Sequence, residues 1–294
     1  MEYVKYILQG RKIFILIILS ILMNSSFSYL AFKFPYAFKL SNKNIFVIHQ
    51  LGVSICNQHF TESISRVVTF SETEKITTDK ALSKVTSVIA DNYIICLIND
   101  MIYIFDEEGY LLKKSNDKIT NLDVEYYTLV YVGKDSSNNL YFVVGFINNR
   151  EVYLYSYIYQ PAENSIQTQT QLEGANHYSS DYIIYNGLSC NLMHYYTSDS
   201  NYQKVITCLY YLNENGIAIN YYEITTSTLQ RATILNPTYF NSNNNAKYIK
   251  STTLPDKKRL LIGWLNSNGV PNYGIYDINS NTNSYLRHYF MDSY

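Results

Sequence analysis

The sequence has 294 residues, a formal net charge of −1 and 32 tyrosines, whereas charged residues make up only 16% of it. A nearly neutral chain without a long lysine and arginine cluster has no electrostatic footprint for nucleic acid or for an anionic membrane surface. Composition therefore argues against a nucleic-acid partner. The densest group of basic residues is Lys257, Lys258 and Arg259, which we expect to form a solvated turn.

The chain begins with the layout of a secretory signal peptide. A basic segment precedes an apolar run that starts at Ile13, and small residues follow at Ser26 and Ser28. These serines occupy the −3 and −1 positions of a cleavage site, so we predict a leader over 1–28 that is cut between Ser28 and Tyr29. The mature domain would then be secreted or displayed at the cell surface.

An uncleaved leader that anchors the protein is the alternative. Residues 24–26 are polar and interrupt the apolar run well short of the roughly 20 apolar residues that a spanning helix needs. We therefore expect membrane association only through such an uncleaved leader or through a continuation of the chain beyond residue 294.

After the leader, short runs rich in Ile, Val, Tyr, Phe and Thr alternate with Asn, Asp, Gly and Ser, a pattern typical of strands joined by turns. Ten of these runs pair into hairpins whose turns favour residues that accept a positive φ. The hairpins are predicted at 45–56, 93–105, 140–159, 205–224 and 260–278. The polar stretch Ala162 to Ser180 is predicted to be an exposed loop.

The hairpins begin between roughly 45 and 65 residues apart, near the ~40 to 50 residues of one β-propeller blade. A blade is a twisted four-stranded sheet that cannot bury both faces alone, so blades stack against one another. We predict an all-β, β-propeller-like array of about five four-stranded or hairpin units over 29–294. A β-sandwich pair is the alternative.

Two features carry a family resemblance. The segment Ile104 to Leu112 is a strand that ends in Phe-Asp-x-x-Gly and returns through a short apolar strand, which resembles the outer hairpin of NHL-type propeller blades. The chain also keeps strand-like character over Arg287 to Tyr294. In this it resembles the N-terminal ectodomain of large protist surface proteins, which implies that a longer surface protein continues beyond it.

Four cysteines in a predicted oxidising compartment indicate disulfides. Cys190 and Cys208 lie on predicted antiparallel strands joined by a polar turn, which places them opposite each other or one position apart. Facing Cβ atoms are close enough for a bridge, so we predict a Cys190–Cys208 disulfide. The alternative is four buried free thiols, and the pairing of Cys56 and Cys96 stays open.

No motif predicts a catalytic residue, a metal site or a cofactor. His59 is the only histidine near a cysteine, three residues after Cys56, and neither Cys-x-x-Cys nor Gly-x-Ser-x-Gly occurs. Asp91 and Asp181 precede strands and are candidates for a channel mouth, against ordinary turn capping. Glu125 is the third carboxylate whose substitution would test for catalysis.

These observations favour a secreted or surface-displayed binding or adhesion domain without catalysis, whose partner is an extracellular protein or a glycan. Abundant Tyr and Asn in turns supply contact area at low entropic cost. The alternative is a propeller-type hydrolase of the lactonase or glycosidase kind, whose acidic residues converge only in three dimensions. Three or more Asp, Glu, His or Arg side chains around one opening would favour the enzyme.

Overall fold

The computed structural model describes most of the chain beyond the predicted leader, and it divides the chain into two compact units, Met1–Ile119 (unit 1) and Thr120–Tyr294 (unit 2). The leader and its cleavage site at Ser28 and Tyr29 lie outside the described residues. No helix within these residues is long and apolar enough to cross a membrane. The described residues are 36–58, 63–71, 76, 84–121, 124, 126–148, 151–173, 183–196, 202–212, 216–224, 232–234, 238–240, 247–265, 271–279 and 282–286.

Unit 1 contains two antiparallel four-stranded sheets, in which the strands follow one another in chain order. The first sheet consists of β1 (Tyr36–Lys39), β2 (Ile45–His49), β3 (Gly52–Cys56) and β4 (Ser63–Thr69). The second sheet consists of β5 (Val85–Ala90), β6 (Tyr93–Ile98), β7 (Met101–Asp106) and β8 (Leu111–Lys114).

Unit 2 contains three sheets with the same chain-order connectivity. The third sheet consists of β9 (Tyr126–Lys134), β10 (Leu140–Asn148), β11 (Glu151–Gln160) and β12 (Ser165–Glu173). The fourth consists of β13 (Ile183–Tyr196), β14 (Tyr202–Leu212), β15 (Gly216–Ile224), β16 (Ala232–Ile234) and β17 (Thr238–Phe240), where β16 and β17 both pair with β15. The fifth consists of β18 (Lys247–Thr253), β19 (Arg259–Leu265), β20 (Pro271–Asp277) and β21 (Thr282–Leu286).

The five predicted hairpins are confirmed, and each one forms the two central strands of its sheet. The turn between β6 and β7 shows why the sequence specifies them. Asn99 and Asp100 both have positive φ, 48° and 69°, a conformation that asparagine and aspartate adopt more readily than other non-glycine residues. The central strands are the most apolar strands of each sheet, and for that reason their residue pattern predicted them.

The exposed loop predicted over Ala162 to Ser180 is wrong for its described part, because Ser165–Glu173 forms β12. The strand is polar since it lies at the edge of the third sheet and pairs with β11 alone. Gln167 and Thr168 accordingly point to solvent. An edge strand needs little apolar surface, so its polar composition is like that of a loop, and a loop was predicted.

The sheets pack face to face through apolar cores. In unit 1 the rings of Phe46 and Phe105, from the first and second sheets, meet edge to face with centroids 4.9 Å apart. The fourth sheet is covered on both faces, because Ile206 and Cys208 join the core shared with the third sheet while Leu209 joins the core shared with the fifth. A sandwich sheet buries only one face against its partner. Sheets stacked in series are the β-propeller-like array that the sequence predicted.

Candidate functional site

Unit 1 contains a cleft of about 200 Å³ between its two sheets, which we call the unit 1 cleft. One wall comes from the end of β1 and the turn that follows it. The other wall comes from the β5–β6 hairpin and from the turn between β7 and β8. The side chains that determine its chemistry are Phe38, Lys39, Ser41, Ile89, Asp91, Tyr93 and Glu107.

The walls of the unit 1 cleft are apolar. Ile89 is 61% exposed, so its aliphatic side chain presents apolar surface to the cleft. Phe38 and Tyr93 are half-buried beside it, and the Phe38 ring is held in place by stacking on Phe46 with the centroids 4.9 Å apart. The cleft therefore offers a firm apolar surface that remains accessible to a ligand.

Charged groups surround this apolar surface. Asp91 lies in the tight turn between β5 and β6, where its φ of 52° directs the chain straight back into the next strand. Glu107 and Lys39 are also exposed at the cleft. The Ser41 hydroxyl donates a hydrogen bond to the carbonyl oxygen of Glu107 over 3.3 Å, so the turns on the two sides of the cleft are joined.

The turn that carries Glu107 is built by the residue before it. The Asp106 carboxylate accepts hydrogen bonds from the amides of Glu108, at 3.0 Å, and Tyr110, at 2.8 Å. Gly109 completes the turn with a φ of 92°, a value that disfavours any residue with a side chain. The Phe-Asp-x-x-Gly pattern of residues 105–109 thus fixes the position of the Glu107 carboxylate at the cleft.

Of the three carboxylates proposed from the sequence, the structure places Asp91 at the unit 1 cleft. Asp181 and Glu125 lie outside the described residues. Glu107 was missed as a site residue, since its segment was interpreted only as a turn. The signal that could have identified it is the pair of acidic residues Glu107 and Glu108. They lie between Asp106 and Gly109, which hold the turn.

The predicted register of the cysteines is confirmed, because Cys190 lies directly opposite Cys208. Their Sγ atoms are 2.6 Å apart, not at the ~2.05 Å of a bond, so the disulfide stays a prediction. Cys56 and Cys96 are buried thiols, and burial raises the pKa of both above its ordinary value. A raised pKa disfavours the thiolate, so neither thiol is an activated nucleophile.

One histidine contacts a serine, but the pair is not a nucleophile and its base. The His49 Nδ1 accepts the amide of Leu51 at 3.2 Å, so in the neutral ring Nε2 carries the proton and donates to the Ser54 hydroxyl at 2.9 Å. His49 is 4% exposed and Ser54 is fully buried. The contact therefore stabilises the β2–β3 hairpin and cannot meet a substrate.

Among the residues that the structure describes, no group of three or more His, Cys, Asp or Glu side chains is arranged to hold a metal ion. His59, beside Cys56 in the sequence, is itself outside those residues. The unit 1 cleft brings together two carboxylates, Asp91 and Glu107, with one ammonium group, Lys39.

No protein-family model matches the chain, and no curated protein sequence does. Solved structures do resemble it. The BP39L lectin from Burkholderia pseudomallei is 6% identical with a TM-score of 0.53, and the match covers 85% of this chain and 69% of the lectin. A polysaccharide lyase of family PL25, an ulvan lyase, is 9% identical with a TM-score of 0.51, over 88% of this chain and 71% of the lyase.

The WD40 domain of SCAP from fission yeast is 11% identical with a TM-score of 0.49, and this chain covers 54% of its length. At these identities the likeness concerns the fold alone. The chain therefore has a β-propeller-type fold, and the proteins that share it include both lectins and enzymes. The finer resemblance to NHL-type blades and to a protist surface protein stays a prediction.

Proposed function

We propose that this protein is an extracellular binding domain that holds a small polar ligand, a single sugar unit, in the unit 1 cleft without altering it chemically. The observation that carries the proposal is the accessible apolar surface formed by the exposed Ile89 and the half-buried Tyr93, with charged groups at its rim. A sugar ring has the same two-sided character, because its C–H groups form an apolar face and its hydroxyls lie around the edge.

The size of the cleft selects the ligand. Its volume of about 200 Å³ is below the roughly 300–1,000 Å³ of pockets that enclose drug-sized molecules. The cleft thus accepts one ring and leaves the rest of a longer glycan in solvent. The carboxylates of Asp91 and Glu107 accept hydrogen bonds from hydroxyls, and the Lys39 ammonium donates one. Apolar surface with a few oriented polar groups is the usual composition of a ligand site.

The setting of the cleft agrees with an extracellular ligand. The predicted leader over 1–28 would send the domain into the secretory pathway, where glycans are exposed on cells and in the surrounding matrix. Tyrosine is well suited to such a role, since it gives a large amphipathic contact with only two rotatable bonds.

Hydrolysis is the second candidate, and a specific observation supports it. Glycoside hydrolases use two carboxyl groups on either side of the bond that they break, and Asp91 and Glu107 both line the unit 1 cleft. Binding is favoured over hydrolysis because both carboxylates are exposed, whereas the general acid of a glycoside hydrolase normally lies in a buried, apolar setting.

The test is an array of mono- and disaccharides probed with the purified full-length secreted protein and two cleft variants. In Asp91→Asn the turn is kept, because asparagine also tolerates positive φ, and only the charge is lost. Tyr93→Ala removes the aromatic surface. We expect each variant to bind the selected sugar about tenfold more weakly, Asp91→Asn because a hydrogen bond to a charged group is lost and Tyr93→Ala because apolar contact area is lost.

Matched controls are Asp117→Asn and Tyr273→Ala, which change an exposed aspartate and an exposed tyrosine outside the cleft. Both should bind like the unchanged protein. Equal losses in the controls, or full binding by both cleft variants, would show that the ligand occupies another place. No binding to any sugar would contradict the choice of ligand.

A further inference from the structure

A surface of unit 2 collects positive charge from two strands and one turn. His194 on β13 pairs in register with Lys204 on β14. The amide of His194 also donates a hydrogen bond to the carbonyl oxygen of Lys257, 2.7 Å away in the turn between β18 and β19. The sequence showed only the trio around Lys257. The fold adds a lysine and a histidine from a distant part of the chain.

The turn is held firmly against the end of β13. Lys257 has a φ of 59°, and its amide donates to the carbonyl oxygen of Leu254 at 2.8 Å. The Lys258 ammonium lies 4.2 Å from the centroid of the Tyr196 ring, a cation–π contact. The Tyr196 amide donates to the Asn279 side chain at 2.7 Å. The backbone of the turn and the Lys258 ammonium therefore have defined positions, which lowers the entropy that a ligand must remove on binding.

Acidic neighbours do not neutralise this surface. Arg259 is balanced by Asp256, with Nε and Oδ2 2.5 Å apart. Within the described residues, Lys204, Lys257 and Lys258 form no ion pair with a carboxylate. Lys204 and Lys257 both lie close enough to His194 to act on its charge, and Lys258 follows Lys257 in the same turn, so this surface carries charges of one sign that an approaching anion would offset.

The protonation of His194 depends on the charges of the same lysines. Burial, together with the charges of Lys257 from the turn and Lys204 from β14, lowers the pKa of His194 below its ordinary value. The ring is therefore mostly neutral at pH 7, and its protonated fraction grows as the pH falls. An anion bound beside it would offset the two lysines and favour the protonated form.

We propose that Lys204, Lys257, Lys258 and His194, which we call the basic surface, bind an anionic polysaccharide that carries sulfate or carboxylate groups. The basic surface consists of strand ends and an exposed turn, so a single small anion would make only weak, screened contacts. A chain with repeated anionic groups contacts several cations at once and gains from multivalency. A glycan fits better than nucleic acid because the predicted leader directs the domain out of the cell.

Heparin serves as the probe, immobilised for surface plasmon resonance with the full-length secreted protein. The double variant Lys204→Gln/Lys257→Gln should bind about tenfold more weakly and lose affinity less steeply as salt rises, since fewer counterions are released. The control Lys43→Gln/Lys113→Gln removes the same charge from unit 1 and should bind like the unchanged protein. No heparin binding, or equal losses in both double variants, would overturn the proposal.

Two further arms separate the alternatives. Binding should tighten between pH 7.5 and pH 5.5 in the unchanged protein, and His194→Gln should remove that dependence. A single-stranded oligonucleotide that displaced the protein better than heparin of equal charge would assign the basic surface to nucleic acid instead. Asp91→Asn should bind heparin normally. The unit 1 cleft proposal and the basic surface proposal are therefore tested independently, and either can fail without the other.

Discussion

The amide of Cys190 donates a hydrogen bond to the Thr128 hydroxyl at 3.3 Å, across the boundary between the fourth and third sheets. An amide on an edge strand points either to its paired strand or away from it. Because this one points away, Cys190 and Cys208 form a non-hydrogen-bonded pair, the kind in which facing side chains come closest. Gly145 provides the space, since a Cβ there would lie 3.3 Å from the Cys190 sulfur.

We predict that Cys190 and Cys208 are bridged in secreted protein. Their thiols would lose two protons and two electrons to the disulfide of a secretory-pathway oxidoreductase, which becomes a dithiol. The cysteines are 18 positions apart, so the bridge should raise the free energy of unfolding by roughly 3 kcal/mol. Reductant should lower the stability of the unchanged protein and leave Cys190→Ala/Cys208→Ala unaffected. Mapping that found both residues alkylated without reduction would refute the bridge.

The stability of unit 1 should depend on Gly109. Its φ is 92°, and a Cβ would lie 3.1 Å from side-chain carbons of Leu40, Phe46 and Ile55. Gly109→Ala should lower the free energy of unfolding by about 2–3 kcal/mol, measured by urea denaturation. Gly263→Ala is the control, because its nearest contact is 3.4 Å and its φ is ordinary. Equal effects of the two substitutions would show that the turn geometry is unimportant.

A pH dependence is expected from Asp135 at the β9–β10 turn. Burial raises the pKa of this carboxyl, but hydrogen bonds from Asn139, Tyr141 and Ser137 together lower it below its ordinary value of 3.8. A lowered pKa stabilises the fold above the unfolded-state pKa, and this is lost as pH falls through the folded-state pKa. Asp135→Ala should cost about 1 kcal/mol at pH 7, and the difference from the unchanged protein should be smaller at pH 2.5.

Urea denaturation at both pH values measures that difference. Glu163→Ala, at an exposed turn, is the control and should change the free energy of unfolding by less than about 0.5 kcal/mol. A deficit in Asp135→Ala that persisted in acid would mean that the side chain stabilises the turn independently of its charge.

The central strands of every sheet were predictable from the sequence, because these strands supply most of the apolar residues of the cores. Strand length and turn position placed Cys190 opposite Cys208 or one position away, and the structure has them directly opposite. The outer strands were not predictable in this way. β12 is the clearest case, since an edge strand that faces solvent has the composition of a loop.

The candidate sites were harder to predict than the fold. Asp91 was recognised as a residue before a strand, but its neighbour in the cleft, Glu107, lies on a different hairpin. The same is true of Lys257 and Lys204, which only strand pairing brings into one surface. Sites formed between sheets combine residues whose spacing along the chain has no fixed value, so no sequence motif identifies such a site.

Amino-terminal sequencing of secreted material tests the predicted leader. We expect the mature chain to begin at Tyr29, because the small side chain of Ser28 is required at the −1 position. Ser28→Arg should block cleavage and keep the protein with the membrane fraction. Intact Met1 in membranes from the unchanged sequence would instead make the leader an anchor.

The most direct test of the unit 1 cleft proposal is native mass spectrometry of the secreted protein with the sugar that the array selects. We predict a one-to-one complex whose mass equals that of the protein plus the intact sugar, and its occupancy should be much lower in Asp91→Asn and unchanged in Asp117→Asn. Hydrolysed product that disappears in Asp91→Asn or Glu107→Gln would contradict the account, because the cleft would then be an active site.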